Sequence, residues 1–381
     1  MVVAPRLRVA FDATSLLGAR TGVGEVTAYL LEALSARDEL DISAYAVTWR
    51  GREKLEQVVP AGVTSATLAF PARATRVLWP RVATPKIERW TGAVDVVHAT
   101  AFVAPPSAAP VLLTIHDLTF VRFPEMCTRD TLSYARLIRA ALDRGATVHT
   151  YSDFVAEEVR TTFDLPAQRV VRVYPGLAPT EGGDASRGRR VAGSDRYVLA
   201  LATIEPRKNL PTLVRAFDAV ADGDADLHLV IGGPDGWGVQ AFDAACATAR
   251  HRARVHRLGF VDDRDRRDLL AGAALLAYPS LYEGFGHPPL EAMQAGIPVV
   301  ASNAGALPEV LGDAALLPDP FDVEAVADAL ARALADESLR DGLCRLGAQR
   351  AALYTWPRAA DEVSRLYRRL AAAGGSTGRR G

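Results

Sequence analysis

Cysteine is scarce. Cys127, Cys246 and Cys344 are the whole complement, far apart and in no CxxC pair. An odd, scattered set excludes a disulfide framework and a zinc site and points to a reducing compartment. Surplus charge of either sign is missing too. The formal net charge is -1, so nothing global invites nucleic acid. Long apolar runs are lacking as well. No stretch approaches the length of a membrane span, and Arg6, Arg8 and Asp12 lie where a signal peptide needs an apolar core. Together these absences predict a cytoplasmic protein, with peripheral contact at the inner face of a membrane as the remaining membrane role.

What is present is globular. At 381 residues, 49% hydrophobic and 23% charged, the chain suits two domains rather than one core. Short apolar runs read as strands at 7–13, 41–47, 94–99, 111–116, 147–152 and 169–174, with helices at 24–36, 130–142 and 153–163 between them. The stretch "PGLAPTEGGDASRGRRVAGSD" is rich in Gly, Pro and charge and reads as a linker, 176–195. Strands then resume at 197–203, 227–232, 255–260, 274–278, 297–302 and 314–317. A last helix starts near 356, and "GGSTGRRG" (374–381) reads as a disordered tail. Apolar strands alternating with helices imply parallel sheets covered on both faces. The expected fold class is α/β, with two Rossmann-like doubly wound domains, 1–175 and 196–355.

Ligands of open parallel sheets bind beyond the carboxyl ends of the strands. Polar residues at those ends are Gly22 and Gly24, His116 with Asp117, and Ser152 in the first half. The second half offers Glu205, Arg207 and Lys208, then Asp262 and Asp263, then Glu283. If the two sheets face each other, these residues line one interdomain cleft, a favoured ligand position.

In "TIEPRKNL", Arg207 and Lys208 stand between a strand and a helix. Cations at a helix start oppose the macrodipole unless an anion completes the site, and two of them suit a diphosphate. In "EGFGHPPLEAM", Gly284 and Gly286 allow close backbone approach, and Pro288 and Pro289 suit a helix start whose N–H groups attract phosphate. Glu283 and Glu291 would repel phosphate, so they suit hydroxyls on either side of a diphosphate. A sugar nucleotide has that shape. The competing structural reading is two surface glutamates. His116 divides evenly between a buried structural role and a site role. Gly22 and Gly24 make only a partial G-x-G-x-x-G, with no ribose-binding acid after the next strand, which disfavours a nicotinamide site.

Two stretches are decoys. "DGDAD" (222–226) lacks the glycine and terminal glutamate of a calcium loop. "DRD" (263–265) opens a helix among arginines and reads as capping. No catalytic metal and no cofactor are expected. The segment 71–90 carries Arg73, Arg76, Arg81, Lys86 and Arg89 with Trp79 and Trp90. It reads as a helix pair with inward tryptophans, or as a docking face for anionic lipid.

"SLYEGFGHPPLEAMQAGIPVVAS" resembles the E-x7-E signature of retaining glycosyltransferases of family 4. "TGVGEVTAYL", "TIHDL", "VYPGL", "TIEPRKNL" and "LGFVDD" stand in the order of that family, so the resemblance spans roughly 6 to 370. It implies the GT-B fold and metal-independent transfer, with the donor sugar nucleotide held mainly by the second domain. It also implies a final helix, 356–373, crossing back to the first. By motif, Arg207 and Lys208 would bind the diphosphate, Glu283 the transferred sugar and reacting centre, and Glu291 the ribose hydroxyls. Phe285 and Gly286 would offer backbone N–H groups, and His116 would sit by the sugar. Gly22 and Gly24 would lie near the diphosphate and acceptor, and the loop holding Val261 would flank the base. His287 stands where many members carry an apolar residue.

The style of these motifs is similar to mannosyltransferases of surface-polysaccharide assembly, which ranks GDP-mannose first and UDP-hexoses next. The implied partners are a nucleotide sugar and a glycan or lipid-linked acceptor, with no nucleic acid. Glu283 would orient the sugar; a double-displacement nucleophile is the alternative. A nucleotide-sugar epimerase and a catalytically silent binding module fit the same residues.

Overall fold

The computed structural model describes residues 5–18, 22–49, 52–69, 71–180 and 182–377. The chain divides into two compact units: Met1–Gly176 with Tyr354–Gly381, and Leu177–Leu353.

The first unit is built on a seven-stranded sheet in the order β3-β2-β1-β4-β5-β6-β7. The strands are β1 Leu7–Asp12, β2 Leu40–Val47, β3 Thr64–Leu68, β4 Val96–Ala99, β5 Val111–Thr114, β6 Thr147–Thr150 and β7 Val170–Arg172. All pairings are parallel. Helices α1 Gly22–Ser35, α2 Ala72–Leu78, α3 Tyr134–Asp143 and α4 Asp153–Phe163 belong to this unit. Strand β3 was not expected. "TSATL" is short, mostly polar and at the sheet edge, so it carries no apolar run.

The C-terminal helix, Trp356–Thr377, packs into the first unit's core. Its Ala359, Ala360, Val363, Leu366 and Tyr367 join Leu30, Leu31 and Leu34 of α1 and Val9 and Phe11 of β1. A buried polar chain fixes it to the sheet. Tyr367 Oη lies 2.6 Å from His98 Nδ1, and Thr114 Oγ1 lies 2.8 Å from His98 Nε2 and 3.0 Å from His149 Nδ1. The helix extends to Thr377, so the expected tail from 374 is helical in its first residues; 378–381 lie outside the described residues.

The second unit carries a five-stranded parallel sheet in the order β10-β9-β8-β11-β12. Its strands are β8 Arg196–Leu201, β9 Leu227–Gly232, β10 Val255–Gly259, β11 Leu275–Tyr278 and β12 Val299–Ala301. Its helices include α5 Ala185–Ala192, α6 Leu210–Val220, α7 Val239–Thr248, α8 Asp263–Gly272, α9 His287–Gln294, α10 Val323–Ala335 and α11 Glu337–Ala351. The expected strand at 314–317 reduces to a single bridge between Leu316 and Val300.

The stretch read as a linker, 176–195, is not one throughout: α5 occupies its middle. Asp184 caps it by accepting from Ser186 and Arg187 N–H groups. It lies so close to α8 that a Cβ on Gly188 would collide with the Asp268 carbonyl, and one on Gly272 would meet the Ala185 carbonyl at 2.8 Å. Arg187 ties it down to Asp265 and Asp268. A helix held by glycine contact and ion pairs has no apolar stripe to read.

Candidate active site

In each sheet the strand order reverses beside the first strand of its unit: β8 lies between β9 and β11, and β1 between β2 and β4. Loops leaving two neighbouring strands in opposite senses open a crevice there. In the second unit those loops are 202–209 after β8 and 279–286 after β11.

The first of these loops ends in a 3-10 turn, Pro206–Lys208, followed by Asn209 at φ +54. Asn209 donates through Nδ2 to the Pro279 carbonyl (3.2 Å) and the Pro320 carbonyl (2.8 Å). Leu281 N–H donates to the Arg207 carbonyl at 2.8 Å. The two loops are therefore one hydrogen-bonded body.

Glu283 is the junction. Its Oε1 accepts from Lys208 Nζ at 2.7 Å, and its Oε2 lies 2.9 Å from Arg207 Nη1. Lys208 also donates to Tyr278 Oη at 2.6 Å, and Arg207 Nη1 to the Tyr282 carbonyl at 3.1 Å. Glu205 stands 3.6 Å from Arg207 Nε. Burial pushes the Glu283 carboxyl up, but the Arg207 and Lys208 charges outweigh it and hold it at about 2. Burial and the Arg207 charge pull the Lys208 ammonium down, against the pull of Glu283. The backbone of Glu283 is fixed too: Ala306 N–H donates to its carbonyl at 2.9 Å. Gly305, at φ +62, brings its Cα where a Cβ would meet Glu283 N and O at 2.6 Å.

Gly286, at φ +116, turns the chain into α9, whose first turn holds Pro288 and Pro289. Phe285 is buried, its ring 4.9 Å from that of His287. Glu291, in α9, is only 2% exposed, and its Oε2 lies 3.6 Å from Arg266 Nη1 of α8. Neither glutamate is a surface residue, which removes the bland reading of the pair. Val261 follows β10 in the loop before α8 and packs over Gly232. Asp262 caps α8 by accepting from Asp265 N–H at 2.8 Å. Among the described residues no three His, Cys, Asp or Glu side chains group as metal ligands would.

The first unit's residues form their own cluster. His116 lies just beyond β5, and its Nε2 donates to the Thr100 carbonyl at 2.8 Å. Burial lowers its pKa, so the neutral ring leaves Nδ1 as an acceptor. Thr100 Oγ1 donates to the Asp12 carbonyl at 2.9 Å. Gly22 and Gly24 are not in a loop but in the first turn of α1, where Gly24 leans on the Ser15 carbonyl. Ser152 caps α4, accepting from Val155 N–H at 3.2 Å. Sequence reasoning missed Asp12. It ends β1 at the reversal point, accepts from Thr14 N–H at 2.9 Å, and burial raises it to about 6. Its signal was its place at the end of the first strand.

In the second unit, sequence reasoning also missed Tyr278 and Arg266. Tyr278 looked like the last apolar residue of a strand, and Arg266 like one of several solvated arginines.

Two family descriptions match the chain: "Glycosyltransferase Family 4" over 20–181 and "Glycosyl transferases group 1" over 184–349. An O-antigen chain mannosyltransferase B of Escherichia coli is 31% identical over 284 residues, 72% of this chain and 74% of that one. Sucrose-phosphate synthase from Thermosynechococcus elongatus superposes with a TM-score of 0.75 at 21% identity, covering 97% of this chain and 100% of that chain. Anabaena HepE in complex with UDP and glucose gives 0.69 at 18% identity, over 95% of this chain and 99% of that one. These likenesses identify the two parallel sheets as the GT-B fold. The chain belongs to the family 4, group 1 glycosyltransferases and is a hexosyltransferase.

Proposed function

We propose that the chain is a retaining glycosyltransferase that moves mannose from GDP-mannose to a growing glycan or lipid-linked acceptor of a cell-surface polysaccharide. The observation that carries the site reading is the Arg207–Glu283–Lys208 junction at the second sheet's reversal point. A buried lysine and a partly buried arginine next to a helix start suit a diphosphate. HepE is described in complex with UDP and glucose, and the Escherichia coli relative is described as a mannosyltransferase, which supports the donor class and ranks mannose first.

In this reading Glu291 accepts from the ribose hydroxyls, the loop at Val261 flanks the base, and Phe285 and Gly286 offer N–H groups to the donor. Gly22, Gly24 and His116 act for the first unit, with neutral His116 accepting a sugar hydroxyl. On donor binding the diphosphate takes over Arg207 and Lys208, and Glu283 turns to the sugar hydroxyls. The bond between the anomeric carbon and the phosphate oxygen then breaks. The acceptor oxygen bonds to that carbon on the same face, and its proton passes to the leaving diphosphate. Arg207 and Lys208 stabilise the charge that grows there, a service that makes a metal unnecessary in this reading.

Contact with an anionic membrane surface is part of the proposal. Trp79 is buried and Trp90 partly so, which removes the aromatic part of the expected docking face. Val77, Leu78 and Val82 remain exposed beside exposed Arg81, Lys86 and Arg89. Among the described residues no helix is long and apolar enough to cross a membrane.

The test is thermal-shift binding against GDP- and UDP-sugars, with magnesium and with a chelator, followed by transfer assays with the stabilising donor. Stabilisation by GDP-mannose that survives chelation is expected. A response confined to UDP-sugars would overturn the choice of mannose, and dependence on magnesium would overturn the metal-free reading.

A further inference from the structure

The E-x7-E pair accounts for Glu283 and Glu291, but Glu291 does not stand alone. Arg266, on α8, places Nη1 3.6 Å from Glu291 Oε2. The same guanidinium lies 3.6 Å from Asp263 Oδ1, one turn back. The two carboxylates differ in surroundings: the Asp263 side chain is 63% exposed and that of Glu291 3%. Water screens the first pair, so the guanidinium's effect falls on the second. A carboxylate taken out of water needs a countercharge to stay ionised and oriented.

The helix that carries Arg266 is also unusually well held. Its contact with α5 leaves no room for a Cβ at Gly188. Arg187 joins Asp265 and Asp268 on the two sides of Arg266 in sequence, and Tyr197 Oη donates to the Leu269 carbonyl at 2.6 Å. The backbone that carries Arg266 is thus held by packing against α5 and β8.

We infer that Arg266 is a positioning residue for Glu291: it holds that carboxylate in place, and so sets how strongly the site prefers a ribonucleotide over its deoxy counterpart. The inference rests on the reading of Glu291 as the ribose-hydroxyl acceptor. Arg266 itself touches no donor atom in this scheme.

The experiment titrates the full chain with GDP and 2′-deoxy-GDP, and with UDP and 2′-deoxy-UDP, by calorimetry. The proteins are wild type, Arg266→Leu, Arg266→Lys and Glu291→Gln. Wild type is expected to prefer the ribose form by about tenfold or more, as for a hydrogen bond to a charged group. Arg266→Leu should reduce that ratio to about twofold while its unfolding temperature stays near wild type, and Arg266→Lys should restore part of it. If Arg266→Leu does not fold, Arg266→Gln, which keeps reach without charge, carries the same expectation. A ratio kept in the Arg266 variants but lost in Glu291→Gln overturns the inference and leaves the Glu291 reading standing. No ribose preference in wild type, or one that survives Glu291→Gln, overturns both.

Discussion

At the scale of single residues the site is a balance of charges. Arg207 and Lys208 face Glu283 and Glu205, so the four formal charges cancel before any donor arrives. Glu283, held at about 2, stays ionised through the neutral range and occupies the cations that a diphosphate needs. Replacing Glu283 by Gln should therefore act in two directions. Affinity for free GDP should rise by about tenfold or more, because a competing charge-assisted contact is gone. Transfer should fall by at least about 10²-fold, because the sugar loses its orienting carboxylate. Calorimetry and a transfer assay on the same preparation check both; a fall in GDP affinity would contradict the competition. Much of this was legible in "TIEPRKNL" and "EGFGHPPLEAM", where cations, glycines and prolines announce a site. The ion pair itself was not, because two segments about 75 residues apart are brought together by the β8–β11 pairing.

At the scale of elements, legibility followed apolar patterning. The buried parallel strands and α1 stand out because Val, Leu, Ile and Ala fill them. β3 and α5 do not, since an edge strand and a glycine-packed helix are stabilised by contacts that leave no stripe. The segment around α2 is an intermediate case: Arg81, Lys86 and Arg89 are exposed, but the tryptophan at the end of α2 faces the core. Its remaining exposed face makes a membrane prediction. Vesicles containing about 30% anionic lipid should sediment the protein, and neutral vesicles should not. Leu78→Asp with Arg81→Glu should weaken binding by about tenfold or more, each basic residue near such a surface contributing about 1 kcal/mol. Equal sedimentation of variant and wild type would remove this face from consideration.

At the scale of the molecule, the two units carry different chemistry. The first holds buried histidines and a buried aspartate. Burial, with the neighbouring His149 and His116 charges, pulls His98 well below the usual imidazole range, and burial pulls His149 to about 3. Each binds protons more readily unfolded than folded. Their stabilising contribution is therefore complete above about pH 6.5 and is lost as pH falls below it, for His149 down to about 3. Asp12 works the other way. Raised to about 6, it favours the folded state at low pH, and that help disappears as pH rises from about 4 through 6. Two histidines outweigh one aspartate, so acidification from pH 7.5 to 5 should destabilise this unit by about 1–3 kcal/mol. In a Trp237→Phe background every tryptophan lies in the first unit, so urea unfolding followed by fluorescence reads it alone. His149→Asn should flatten the dependence; an unchanged slope would mean the Tyr367–His98–Thr114–His149 chain does not titrate as described.

The Glu283 carboxylate has one more consequence. As a tethered competitor, it confronts every incoming anion with an effective local concentration on the order of millimolar or higher. In the proposed reading inorganic phosphate or a nucleotide without a sugar must displace it from both cations and leave a buried carboxylate without its countercharges. In the same reading a sugar nucleotide would displace it and offer hydroxyls in exchange. The ion pair would then act as a sieve, turning away abundant phosphates with the same side chain that would accept the sugar hydroxyls.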